Sequence, residues 1–158
     1  MKDNRPNWDS YFMKLAETVA LRSNCLRNTV GVVIAKERRM IAAGYNGTPA
    51  GVKNCSDGGC VRCHSRSKNI LKANERKDLC ICVHAEENAI LQSAYHGVST
   101  KNAILYSTIA PCLQCAKSII NAGIKEVVYK TSYTVEDEEN DMGAELLKTA
   151  GIVARKIK

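Results

Sequence analysis

The sequence predicts an α/β fold, a three-layer α/β/α sandwich, and three features of the chain carry that expectation. An amphipathic helical pattern opens it, a β-rich hairpin follows, and from residue 83 helical and strand patterns alternate to the end. That order calls for a sheet covered on both faces, because each helix has an apolar stripe to bury.

The elements follow in order. Trp8, Tyr11, Phe12, Leu15 and Val19 recur at three- and four-residue steps, so 8–21 reads as a helix. Residues 29–35 (TVGVVIA) and 40–45 (MIAAGY) are β-rich, and the charged stretch Lys36–Arg39 between them reads as a hairpin turn. The run NGTPAG at 46–51 is dense in turn formers and predicts a shaped loop. Residues 52–82 hold five cysteines and almost no apolar periodicity, which predicts an irregular insert pinned by metal. A helical pattern then runs from Val83 through Tyr95 and ends near Gly97. Residues 103–108 (AILYST) read as a strand, and 112–122 as a helix closed by Gly123. A strand at 126–129, a helix at 141–150 and a last strand at 152–154 complete the pattern. No internal repeat, low-complexity tract or linker interrupts it, so residues 1–158 read as a single domain able to bury a core without disulfides.

Composition narrows the function. Hydrophobic residues make up 45% and charged residues 25%, a globular balance. No apolar run approaches the ~20 residues that span a bilayer. Lys2, Asp3, Arg5, Asp9 and Glu17 interrupt the first 25 residues, so no secretory leader is expected and the protein reads as cytoplasmic. The formal charge of +7 attracts anions, nucleotides as well as nucleic acids. The basic residues are scattered and aromatics are only 5%, too few for a repeated base-stacking platform, so charge suggests a phosphorylated ligand without fixing its size.

In a reducing compartment, closely spaced cysteines bind metal more often than they form disulfides. Here they fall as Cys60-x-x-Cys63, Cys80-x-Cys82 and Cys112-x-x-Cys115, with Cys25 and Cys55 apart. The decisive pattern is His84-Ala85-Glu86 followed by Pro111-Cys112-Leu113-Gln114-Cys115. One imidazole and two thiolates give Zn²⁺ three ligands and leave a fourth position open, as catalytic sites require. Both pieces open expected helices, where the macrodipole and free N–H groups favour thiolate. Glu86, two residues past His84, suits proton transfer better than ligation. His-x-Glu alone carries little weight, and a lone Cys-x-x-Cys more often marks a structural zinc or a redox pair. Together they form the signature of zinc-dependent deaminases. On that reading hydroxide attacks C4 of cytosine, Glu86 protonates N3, and Glu86 then delivers a proton to the departing amine.

At these residues the chain resembles the deoxycytidylate (dCMP) deaminase family of the cytidine deaminase superfamily, in a cysteine-rich branch. The segments that carry the resemblance are WDSYFMKLAETVALRSNC at the start, GYNGTPAG at 44–51, VHAEENAI at 83–90 and APCLQCAKSIINAGIKEVVY at 110–129, with NCSDGGCVRC and CICVHAEENA marking the branch. The resemblance implies a mixed five-stranded sheet flanked by helices, a hexamer, and hydrolysis of dCMP to dUMP, which feeds thymidylate synthesis. It implies activation by dCTP with Mg²⁺ and inhibition by dTTP, and leaves dCTP as an alternative substrate. It assigns Asn46 to the sugar and Arg27 to the phosphate, where an Arg suits bidentate binding. Tyr133 is assigned to the base, the Thr108–Ala110 backbone to the exocyclic amine, and Ser23 and Ala85 to further substrate contacts. Gly44, Tyr45 and Gly47 fall in a loop assigned to the effector. Cys25, Cys55 and Cys82 align with ligands of a structural zinc in some relatives. Cys60, Cys63, Cys80 and His64 then offer more ligands than one tetrahedral ion can use. His96 reads as a polar cap.

Two rivals are set against this reading. A polynucleotide deaminase would have to extrude a base and contact its neighbours. A zinc-stapled nucleic-acid-binding module would use its charge for affinity and have no need of Glu86.

Overall fold

The computed structural model describes the backbone of residues 4–72, 75–132 and 138–158, and the side chains of all of these except 138–141. The elements run α1 (Trp8–Ala20), β1 (Gly31–Lys36), β2 (Arg39–Tyr45), α2 (Val61–Ser67), α3 (Ala85–Tyr95), β3 (Ile104–Ile109), α4 (Leu113–Asn121), β4 (Glu126–Thr131), α5 (Glu138–Thr149) and β5 (Val153–Lys156). The strands form one mixed five-stranded sheet in the order β2-β1-β3-β4-β5. β1 is antiparallel to β2 and to β3, whereas β3, β4 and β5 run parallel.

Alternation along the strands divides the core in two. Val32, Ile34, Leu105 and Val127 point to one face, where they pack with Ala85 and Ala89 of α3, Ala116 and Ile119 of α4 and Leu147 of α5. Val33, Ala35, Tyr106 and Val128 point to the other, against Phe12, Met13 and Ala16 of α1. The three layers expected from sequence are therefore present, with α1 the one helix on that second face among the described residues. The Tyr106 hydroxyl donates to Asp9 at 3.1 Å, and Arg155 of β5 pairs with both Asp9 and Glu126 at 2.7 Å, tying α1 and the last strand to the middle of the sheet.

Local chemistry explains the ends. Asn7 caps α1 by accepting from the Ser10 N–H at 2.8 Å. The hairpin turn is shorter than expected: only Glu37 and Arg38 turn, both left-handed at φ 52 and 60, the two-residue geometry whose twist matches the flanking strands. The insert at 52–82 is not wholly irregular. It contains α2, whose inward residues are Arg62 and Cys63 while Val61 faces solvent, so no apolar stripe announced it. α5 starts at Glu138 rather than 141, because its first turn is acidic and lacks apolar periodicity. Among the described residues no helix is long and apolar enough to cross a membrane.

Candidate metal and catalytic site

Two helix starts meet on the face of the sheet covered by α3, α4 and α5. His84 is the N-cap of α3 and Cys112 the N-cap of α4, both in extended backbone conformation and neither using its side chain to cap its own helix. The imidazole and the thiol are therefore left to face each other, and Cys115 joins them from the first turn of α4. His84 Nδ1 lies 3.3 Å from Cys115 Sγ and 3.5 Å from Cys112 Sγ, and the two sulfurs are 3.7 Å apart. Zn–S and Zn–N bonds of ordinary length in a tetrahedron would separate two sulfurs by about 3.8 Å, and a sulfur from a nitrogen by about 3.5 Å. The donor set fits zinc in both softness and spacing. Cys115 is buried, Cys112 half-buried and His84 exposed, so the three ligands are backed by protein on one side and open on the other.

Glu86, in the first turn of α3, is only 4% exposed. Burial pushes its carboxyl up to about 7, against the pull of the nearby His84. Cys112 is drawn down to about 4, first by the Cys115 thiol and then by His84. Cys115 is pushed up by the same contact and by burial, and His84 rises to about 9 beside Cys112. The trio thus holds one thiolate next to an imidazolium, the charge pattern that a dication replaces when it displaces the protons.

The segments around this trio are tightly tied. Asn46 Oδ1 accepts from the Ser23 hydroxyl at 2.7 Å and from the Val30 N–H at 2.8 Å, while its Nδ2 donates to the Asn28 carbonyl at 2.8 Å. Gly47 and Val83 exchange two backbone hydrogen bonds, at 2.8 and 3.2 Å, fixing the 46–51 loop beside His84. Gly44 is buried under α3: an added Cβ would come within 2.4 Å of both the Ala85 carbonyl and the Ala89 nitrogen. Gly47 is buried as well, and of the three effector residues expected from sequence only Tyr45 is exposed. Ala85 directs its side chain into the core, leaving its backbone for any substrate contact. Thr108 Oγ1 accepts from the Gly31 N–H at 3.2 Å. The same residue lines a cleft of about 500 Å³ between α1 and the ends of β3 and β4. Arg27 is exposed in the loop after α1, and Tyr133 lies outside the described residues.

The other six cysteines gather into a second cluster. Cys55, Cys60 and Cys63 are fully buried, with Cys25, Cys80 and Cys82 packed against them. Cys25 and Cys80 are drawn down to about 5 and about 4, each first by the Cys82 thiol, while Cys82 is pushed up, first by Cys25. His64, counted as a spare ligand from sequence, is exposed on α2 and outside the cluster.

Two positioning residues were not anticipated. Asn24 accepts from the Thr48 and Cys55 N–H groups at 3.3 and 3.4 Å and donates to Asn54 at 2.9 Å, joining the loop, the insert and the segment after α1. Gly143 lets α5 lie on the start of α4, where a Cβ would come within 2.9 Å of the Leu113 nitrogen. A glycine inside a helical pattern was the signal that could have found it.

Comparison with known proteins agrees with this geometry. The model of the cytidine and deoxycytidylate deaminase zinc-binding region matches residues 6–131. The deoxycytidylate deaminase of Schizosaccharomyces pombe is 48% identical over 152 residues, 96% of this chain and 44% of that protein. The chain thus spans less than half the length of that relative. The ComE operon protein 2 of Bacillus subtilis is 40% identical over 154 residues, covering 98% of this chain and 73% of that protein. Among solved structures, the dCMP deaminase of cyanophage S-TIM5 in complex with dCMP and dUMP superposes with a TM-score of 0.74 at 31% identity, over 98% of this chain and 100% of that one. With the family model spanning both helix starts that present His84, Cys112 and Cys115, the chain belongs to the cytidine and deoxycytidylate deaminase zinc-binding family.

Proposed function

We propose that this chain is a zinc-dependent deaminase that hydrolyses dCMP to dUMP and ammonia. The observation that carries the reading is a carboxyl buried beside an open three-ligand metal site, Glu86 next to His84, Cys112 and Cys115. Zinc held there supplies Lewis acidity and lowers the pKa of water towards ~7. Glu86 takes the proton that water gives up, passes it to N3 of the cytosine, and carries a second one to the departing amine. Its burial supports this role, because a carboxyl held near neutral can both accept and donate. The choice of dCMP is supported by the relatives named deoxycytidylate deaminase and by the dCMP and dUMP complex of the phage protein.

The substrate contacts belong to the same proposal. Arg27 takes the phosphate and Tyr133 the base. Asn46 offers the sugar the one amide hydrogen that its bonds to Ser23, Val30 and Asn28 leave over. Ser23 and the backbones of Ala85 and of Thr108–Ala110 complete the pocket. The proposal extends to a hexamer of single-domain subunits in the cytoplasm, activated by dCTP with Mg²⁺ acting near Tyr45 and inhibited by dTTP. It also includes a structural zinc held by the cysteines of the insert.

Ammonia release from zinc-loaded protein offered dCMP, dCTP, deoxycytidine, CMP and single-stranded DNA in parallel tests the reading. Turnover of dCMP is expected, and the dCTP lane separates single from dual specificity. Glu86→Gln should keep its zinc and lose about 10²–10⁴-fold in turnover. Activity confined to the DNA lane, or a Glu86→Gln variant that stays active, overturns the proposal.

A further inference from the structure

We propose that the six cysteines outside the catalytic site hold two metal ions, not one, in a binuclear thiolate cluster bridged by Cys63 and Cys82. The sulfurs fall into two sets of four, each set within 4.8 Å throughout: Cys25, Cys55, Cys63 and Cys82, and Cys60, Cys63, Cys80 and Cys82. Two members are common to both sets. That is the geometry of two tetrahedra sharing an edge, with Cys63 and Cys82 as the shared pair and two terminal thiolates completing each ion. Separations of 3.6 Å for Cys63–Cys80, 3.9 Å for Cys63–Cys82 and 4.0 Å for Cys60–Cys80 bracket the roughly 3.8 Å edge of a zinc tetrathiolate. All eight cysteines of the chain are free thiols, so no disulfide competes for these sulfurs.

The packing of the insert supports the same reading. Its interior is made of the cysteines and Arg62, whereas most of its large apolar residues face outward: Val61 is 77% exposed, Ile70 68% and Leu79 50%. A segment arranged that way gains little from the hydrophobic effect and needs another source of cohesion, which soft thiolate ligands supply with zinc. Charge is consistent. Two divalent ions and six thiolates sum to a net charge of −2, with six protons released on binding. Residues 52–82 carry seven Lys and Arg against three Asp and Glu, a local excess that offsets it. A single ion would leave two thiols of the cluster without a role.

The cluster also anchors both sides of the catalytic site. Cys82 lies two residues before His84, and Cys25 lies two residues after Ser23, the partner of Asn46.

This inference extends the structural-zinc part of the proposed function and is independent of which nucleotide is the substrate. Elemental analysis of the purified chain should return three zinc ions, one catalytic and two in the cluster. A count of two would leave a structural zinc standing and overturn the binuclear site; a count of one would overturn both. The bridging is tested on the unmutated protein after exchange of zinc for ¹¹³Cd. Two tetrathiolate cadmium resonances that split one another through shared sulfurs are expected, with a separate signal from the His84 site. Unsplit singlets would overturn the bridge. Cys60→Ser, which touches one set only, should lower the cluster count by one ion. Cys63→Ser, common to both sets, should lower it by two.

Discussion

The Ser23 hydroxyl lies 2.7 Å from Asn46 Oδ1, and that same oxygen accepts the Val30 N–H at 2.8 Å. With its Nδ2 on the Asn28 carbonyl, the amide of Asn46 braces the segment after α1 against the loop after β2. Removing it strands three partly buried partners. Asn46→Ala should therefore destabilise the chain by about 1–3 kcal/mol in urea unfolding, while Ser23→Ala should cost about 1 kcal/mol. An Asn46→Ala variant as stable as the parent would show that the bracing is inconsequential.

Gly44 is a packing residue. Its missing Cβ is what allows β2 to lie against the backbone of Ala85 and Ala89, one and five residues beyond His84. Backbone atoms cannot swing aside, so Gly44→Ala must push α3 outward and carry His84 away from Cys112 and Cys115. A loss of at least about 3 kcal/mol is expected, at the upper end of overpacking penalties, together with reduced zinc content. Unchanged zinc content and an unchanged unfolding midpoint would contradict it.

Much of this was readable from sequence because the signals are local. The apolar stripe of α1 and the β-rich runs of β1 and β2 write their structure into adjacent residues, and His84 and Cys112 stand at helix starts that the sequence marks by pattern and by Pro111. What escaped is non-local. Spacing suggests pairs such as Cys60 with Cys63 and Cys80 with Cys82, and the resemblance groups Cys25 and Cys55 with Cys82, but only the fold shows that Cys63 and Cys82 belong to both sets of four. α2 was hidden because its buried face is made of Arg62 and Cys63, which score as neither stripe nor strand. The engagement of Asn46 could not be told from a free amide, since Ser23, Asn28 and Val30 reach it from distant points of the chain.

The hairpin turn leaves stability to be gained. Glu37 and Arg38 both sit at positive φ, where a side chain with a β-carbon is strained and Asn is better tolerated. Arg38 also lies 5.6 Å above the Trp8 ring, a cation–π contact that its removal would forfeit. Glu37→Asn should accordingly raise stability by about 0.5 kcal/mol. Arg38→Gly should come out near neutral, because relief of strain and loss of a contact of about 0.5–1 kcal/mol offset each other. Equal gains from the two substitutions would remove the cation–π contact from the explanation.

The two proposed metal centres should respond to chelation at different rates. His84 is exposed and Cys112 half-buried, whereas Cys55, Cys60 and Cys63 in the insert have no accessible surface. A brief chelator treatment should therefore strip the catalytic site alone, abolishing turnover reversibly while Tm moves by only about 2–4 °C, the equivalent of roughly 1 kcal/mol in a chain of this size. Releasing the buried ions requires the insert to open, and since such sites contribute folding free energy directly, Tm should then fall by more than about 10 °C. Following activity, zinc release and Tm through one chelation time course separates the two stages. If Tm and activity declined together from the first minutes, the catalytic ion and the insert would be a single cooperative unit, and the difference in burial between His84 and Cys63 would have no kinetic meaning.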